Sequence, residues 1–85
     1  MPEISRFLGM VIGMFFNEHG PPHFHAVYGD QRITVEIGSG RVQGEFPTRA
    51  LRLVLEWARL HERELMQNWE RARRREPLSR IEPLE

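Results

Sequence analysis

The spacing of apolar residues changes at Phe46-Pro47, and that change limits what the chain can become. Before it, apolar residues recur at every second position, as in Ile33, Val35 and Ile37 with Arg32, Thr34 and Glu36 between and beside them. After it they recur every third or fourth, through Ala50, Val54, Trp57, Leu65, Trp69 and Ala72, with Leu51, Leu53, Leu55 and Ala58 widening the stripe. A period of two marks strands whose faces differ, and a period near 3.6 marks helices with one buried side. Strands first and helices second define an α+β chain rather than an alternating one.

Within the first half, Arg6 to Phe16 reads as one long strand, with Leu8, Met10, Ile12, Met14 and Phe16 on one face and Phe7, Gly9, Val11, Gly13 and Phe15 on the other. Both faces are apolar, which places it centrally, and the glycines leave room for a bulky side chain or a helix backbone. His23 to Tyr28 is a second strand, closed by a tight hairpin turn at Gly29-Asp30. Arg32 to Ile37 follows, and Gly38-Ser39-Gly40 leads into a weaker strand from Arg41 to Phe46. The expected product is a single domain: an antiparallel meander of about four strands over residues 1–46, a helix or helix pair over 47–75 packed on one face, and an extended tail over 76–85. Pro47 suits a first helical turn and Thr48 a cap. A break between Leu60 and Glu62 would put Glu62 and Glu64 in the first turn of a second helix, where acids complement the dipole. Leu78, Ile81 and Leu84 let the tail pack as an extended arm or add an edge strand.

Such a small chain buries only about 60 to 65% of its unfolded surface. It has no cysteine, so disulfides and thiolate zinc sites are excluded and only histidines and carboxylates remain as metal ligands. The apolar run from Phe7 to Phe16 is too short to span a bilayer and lacks the flanks of a signal peptide. We therefore expect a cytoplasmic protein without membrane contact. Twelve arginines balance twelve acids. Residues 1–45 hold three arginines and five acids, and residues 46–85 nine and seven, too mild an asymmetry for whole-molecule attraction to nucleic acid.

Three of the four histidines fall in the stretch NEHGPPHFHAVYGD, where His19, His23 and His25 surround Pro21-Pro22. His23 and His25 share a strand face with alpha carbons roughly 6.5 to 7 Å apart. Two imidazoles so placed can converge on a divalent metal, with His19 or Glu18 brought round by the proline bend as third ligand and a position left for water. Iron or manganese bound by two histidines and a carboxylate is equally permitted. Without a metal, one histidine could act as base and another as acid, with Arg6 or Arg32 as candidates to meet a phosphate. The plain alternative is that the rings hydrogen-bond to backbone and fix the bend. Asn17 and His61 complete the candidate cluster with these three histidines. On the helix, Arg49, Arg52, Arg59 and Arg63 lie near one another and could contact phosphates; as a solvated face they would instead pair with acids, as in Glu56 with Arg59 and Glu70 with Arg74.

These residues carry a resemblance over essentially the whole chain. Ile4-Ser5-Arg6-Phe7, Asn17 with His19, Pro21-Pro22-His23-Phe24-His25-Ala26, Tyr28-Gly29, Glu56-Trp57 with His61, Asn68-Trp69 and Ile81-Glu82-Pro83-Leu84 resemble a family of small bacterial proteins known as domain of unknown function 4160. The resemblance implies an interaction module of toxin-antitoxin type with a small protein partner and assigns no catalytic residue; a further contact with RNA or DNA is left open. The alternative from the residues themselves is a metal-binding or metal-dependent hydrolytic protein using His19, His23 and His25.

Overall fold

In the computed structural model, which describes residues 1–84, the change of period at Phe46-Pro47 is the boundary between sheet and helices. The strands are β1 (Glu3–Phe7), β2 (Met10–Gly13), β3 (His23–Tyr28), β4 (Gln31–Glu36) and β5 (Val42–Gly44), and the helices are α1 (Thr48–Leu60) and α2 (Glu62–Arg73). The strands lie in chain order, each antiparallel to the next. The α+β meander with a helix pair is therefore as expected, with five strands in place of four. The extra strand arises because Arg6 to Phe16 is not continuous. Leu8 and Gly9 both take positive φ, 51° and 83°, and close a two-residue turn in which Phe7 pairs with Met10. Two positive φ values match the right-handed twist of a hairpin.

The two glycines consequently do other work than making room for a helix. Gly9 is a turn residue, while a Cβ on Gly13 would lie 2.5 Å from the Pro2 carbonyl oxygen. That carbonyl accepts the Met14 amide at 3.1 Å, so the N-terminal segment occupies the space. Met10, Ile12 and Met14 are buried, whereas Leu8 and Phe16, expected on the same face, are exposed.

Alternation decides what each strand offers. Phe24 and Ala26 on β3 and Ile33 and Val35 on β4 enter the core, where Phe24 meets the Trp57 ring edge-on at 5.7 Å. Trp57 and Leu65 are fully buried, and burial of side chains of this size stabilises by about 1.5 to 3 kcal/mol each. His23, His25, Thr34 and Glu36 take the opposite face, with His23 across from Glu36 and His25 across from Thr34.

Pro47, not Thr48, occupies the N-cap of α1, and the Thr48 side chain makes no capping hydrogen bond. His61 breaks the helix with φ −119° and ψ 27°, and Glu62 and Glu64 open α2. The tail is an extended arm rather than a strand. Ile81 donates its amide to the Ile4 carbonyl at 2.8 Å, and Trp57 Nε1 donates to the Glu82 carbonyl at 2.8 Å. Buried Asn68 clasps Ser79, its Nδ2 donating to the Ser79 carbonyl and its Oδ1 accepting the Ser79 amide, each at 2.9 Å. Glu85, the end of the expected tail, lies outside the described residues. No helix among the described residues is long and apolar enough to cross a membrane.

Candidate functional site

The bend at Pro21-Pro22 directs His23 and His25 from β3 toward the segment that follows β2. That segment is set by Asn17, which takes φ 58° and donates its amide to the Ala72 carbonyl at 3.0 Å, tying the turn to the end of α2. The next residue, Glu18, reaches back to the histidines. Its Oε1 lies 3.0 Å from His23 Nε2 and 3.0 Å from His25 Nε2, with side chains 18 to 31% exposed. Among the described residues, Glu18, His23 and His25 are the group whose ligand atoms all lie within 4.8 Å of one another.

His23 Nδ1 lies 3.0 Å from the Pro21 carbonyl oxygen. A carbonyl only accepts, so that nitrogen carries a hydrogen and the ring is anchored through it. Trp69 packs 5.2 Å from the His23 ring, and Phe15 meets the His25 ring edge-on at 4.8 Å. The three side chains therefore have apolar walls and one open side. The open side is a cleft of about 240 Å³ whose lining includes His19, Thr34, Glu36, Arg41 and Gln43.

The sequence leaves His19 or Glu18 as the third member beside His23 and His25, and the fold brings up one of them. Glu18 takes the third position, and exposed His19 lines the cleft without joining the group. His61 is elsewhere: it stacks on Trp57 at 5.6 Å and bonds to Glu64 through Nδ1 at the helix break. Arg6 is bound to Glu3 at 2.8 Å and Arg32 faces Val27, so neither of these lines the cleft. Arg41 does, although nothing in its local sequence marks it for the site. Its place follows from the turn after β4, where the Glu36 amide donates to the Arg41 carbonyl at 2.8 Å, a register that spacing alone does not give.

Arg49, Arg52 and Arg59 on α1 and Arg63 on α2 are all exposed, and none takes part in an ion pair among the described residues. The expected Glu56 to Arg59 pair is thus not formed, and Glu70 meets Arg73 at 3.5 Å rather than Arg74. Exposed ion pairs on a helix gain only about 0.3 to 0.5 kcal/mol, too little to dictate which neighbour is met or whether any is.

Fold and site define a small α+β protein with two histidines and a carboxylate gathered on the open face of an antiparallel sheet. The chain belongs to the family described as Domain of unknown function (DUF4160), whose profile matches residues 9–70 and so includes Glu18, His23 and His25. No curated protein and no solved structure matches the chain.

Proposed function

We propose that His23, His25 and Glu18 hold a divalent metal whose open positions take water and substrate, making the protein a metal-dependent hydrolase. The observation that carries this is the contact between His23 Nε2 and Glu18 Oε1. With its hydrogen committed to Pro21, a neutral His23 turns a bare lone pair toward a carboxylate oxygen 3.0 Å away. Two acceptors at that distance repel, and a cation between them makes the contact favourable. Ligand atoms that share one ion at about 2.0 to 2.1 Å lie roughly 3 Å apart, a spacing that both Glu18 to histidine separations approach. Anchoring the second ring nitrogen on a backbone carbonyl is what fixes a ligating imidazole in the required tautomer.

Two imidazoles and a carboxylate suit zinc, iron or manganese, and three ligands on one side leave the other free, as in catalytic sites. A bound ion brings the pKa of its water down toward neutrality. Held by Glu18, His23 and His25, such an ion would supply an activated water for hydrolysis, whose hydroxyl would replace the leaving group while its other proton left with that group. Metal analysis of protein purified without an affinity tag, with cobalt titration followed in the visible spectrum, should find one ion per chain. Binding should weaken about a hundredfold or more in Glu18→Ala, His23→Ala and His25→Ala. Metal far below one equivalent, or equal affinity in all three variants, would leave His23 as a protonated partner of Glu18 and end the metal reading.

A second reading, an interaction module of toxin-antitoxin type with a small protein partner, is favoured by one separate observation. Leu8 is 54% and Tyr28 38% exposed beside an apolar groove floored by Met10, Ala50 and Leu53. Co-expression with the product of the adjacent gene should yield a complex that Leu8→Asp disrupts. Separate elution at micromolar concentration counts against this reading.

A further inference from the structure

We infer that the metal centre acts on a single strand of nucleic acid, an inference that rests on the metal reading above. Three clefts meet along Glu18 and His19. Arg41 stands in the cleft on one side, and Arg73 and Arg74, at the end of α2, stand in the clefts on the other. The ligands His23 and His25 line the Arg41 cleft, and Glu18, common to all three, joins it to the clefts of Arg73 and Arg74, so guanidinium groups stand in each cleft that meets the proposed ion's site. A small anion needs only one such flank; a chain of phosphates uses both.

The charges of the groove make its affinity conditional. Three arginines, Arg41, Arg73 and Arg74, are matched by three carboxylates, Glu18, Glu36 and Glu70, so with neutral histidines the groove has no net charge. A divalent ion supplies the entire positive excess. Glu36 is occupied by the Ser39 hydroxyl at 2.7 Å and Glu70 by Arg73 at 3.5 Å, while Arg41 and Arg74 form no ion pair among the described residues. Those two guanidinium groups are the ones available to phosphates, and their planar forks suit that geometry.

Single strands are distinguished by unstacked bases, and an exposed aromatic ring stands against one side chain of the groove. Phe15 is 40% exposed, and its ring meets that of His25, a proposed metal ligand, edge-on at 4.8 Å. With the ion bound the groove is positively charged, and a positive groove beside an exposed aromatic ring is the arrangement that binds phosphates in the groove and stacks a base on the ring. Arg49, Arg52, Arg59 and Arg63 line none of the three clefts.

The test is fluorescence anisotropy with labelled twelve-nucleotide RNA and DNA, single-stranded and duplex, on zinc-loaded and chelator-stripped full-length protein, with zinc stoichiometry measured on the same preparations. We expect single strands to bind the loaded protein at least about tenfold more tightly than the stripped protein. Arg41→Gln with Arg74→Gln should lower the salt slope by about 0.7 per lost phosphate contact, and Phe15→Ala should weaken binding several-fold while zinc still binds. Tighter binding of RNA or of DNA would identify the natural strand, and either supports the inference. Equal binding by stripped protein, preference for duplex, or a larger loss from Arg52→Ala than from Arg74→Gln would overturn it. One zinc per chain with no oligonucleotide binding overturns the inference and spares the metal reading; no zinc binding overturns both.

Discussion

Asn68 and Glu18 each organise a small polar cluster, and the two clusters are satisfied in opposite ways. Around Asn68 every donor meets an acceptor: the amide nitrogen gives to the Ser79 carbonyl, and the amide oxygen takes the Ser79 amide and, at 3.2 Å, Arg71. Around Glu18 two imidazole nitrogens face one carboxylate oxygen, and one of them has no hydrogen to give unless the ring is charged. A buried group with matched partners is a device for holding chain segments in place. A part-buried group in which His25 can donate to the carboxylate but a neutral His23 cannot holds the chain less firmly, and it is the arrangement on which the metal proposal rests. Structure and chemistry are thus separated on the two sides of Trp69, which neighbours Asn68 in sequence and packs against His23.

The sharpest way to break this comparison is to remove one member from each cluster. Asn68→Ala leaves two backbone groups of the arm and one guanidinium without their buried partner, and should destabilise the fold by about 2 to 3 kcal/mol. Chemical denaturation of metal-free protein checks this. Glu18→Gln in the same assay should change stability by less than about 0.5 kcal/mol, since it removes a repulsive contact along with an attractive one. Added zinc should then raise the unfolding midpoint of the parent protein and of Asn68→Ala, but not of Glu18→Gln, because only a ligand that binds the native state shifts it. Equal losses from the two substitutions would mean that Glu18 is as structural as Asn68.

Acid sharpens the contrast at the arm. Hydrogen bonds from Arg6 first, and then from Arg80, hold the Glu3 carboxyl down at about 2, against an ordinary value of 4.5. The folded value is the lower one, so the contribution of Glu3 is complete above pH 4.5 and fades as pH falls toward 2. Glu3 is the only link by charge between β1 and the arm among the described ion pairs, through Arg80 at 2.9 Å. Thermal melts of the parent protein and Glu3→Gln should therefore differ above pH 4.5 and converge toward pH 2. A difference that persists undiminished at pH 2 would place the effect of Glu3 outside its ionisation.

Much of the architecture was legible because burial is periodic. The strand alternation around Phe24, Ala26, Ile33 and Val35, the helical stripe through Trp57 and Leu65, and the break at His61 follow from local chemistry that a sequence displays. The split of the first strand was hidden because its turn uses Leu8, a residue that carries no turn signal, in a conformation usually given to asparagine or glycine. The candidate site was legible in its residue types and in the shared face of His23 and His25. Whether Glu18 or His19 turns toward them depends on the Asn17 amide reaching the Ala72 carbonyl, a contact between segments far apart in the chain. Arg41 and the Asn68 clasp were invisible for the same reason: their roles exist only through register and docking.

Leu8 offers the smallest effect and a last comparison, between strain that closes a fold and strain that serves a surface. A γ-branched side chain at φ 51° is disfavoured there, and at 54% exposure it recovers little by burial. Asn, which tolerates this conformation, should stabilise the hairpin by about 0.5 to 1 kcal/mol, read from the denaturation midpoint. Strain that can be relieved so simply, at an apolar side chain beside the Met10 and Tyr28 groove, is accounted for if that groove is covered by a partner. Leu8→Asn should then gain stability and lose the complex together. A variant that gains stability and keeps the complex would reduce Leu8 to an unoptimised turn and leave the open face of the sheet, with Glu18, His23 and His25, as the surface on which function is to be sought.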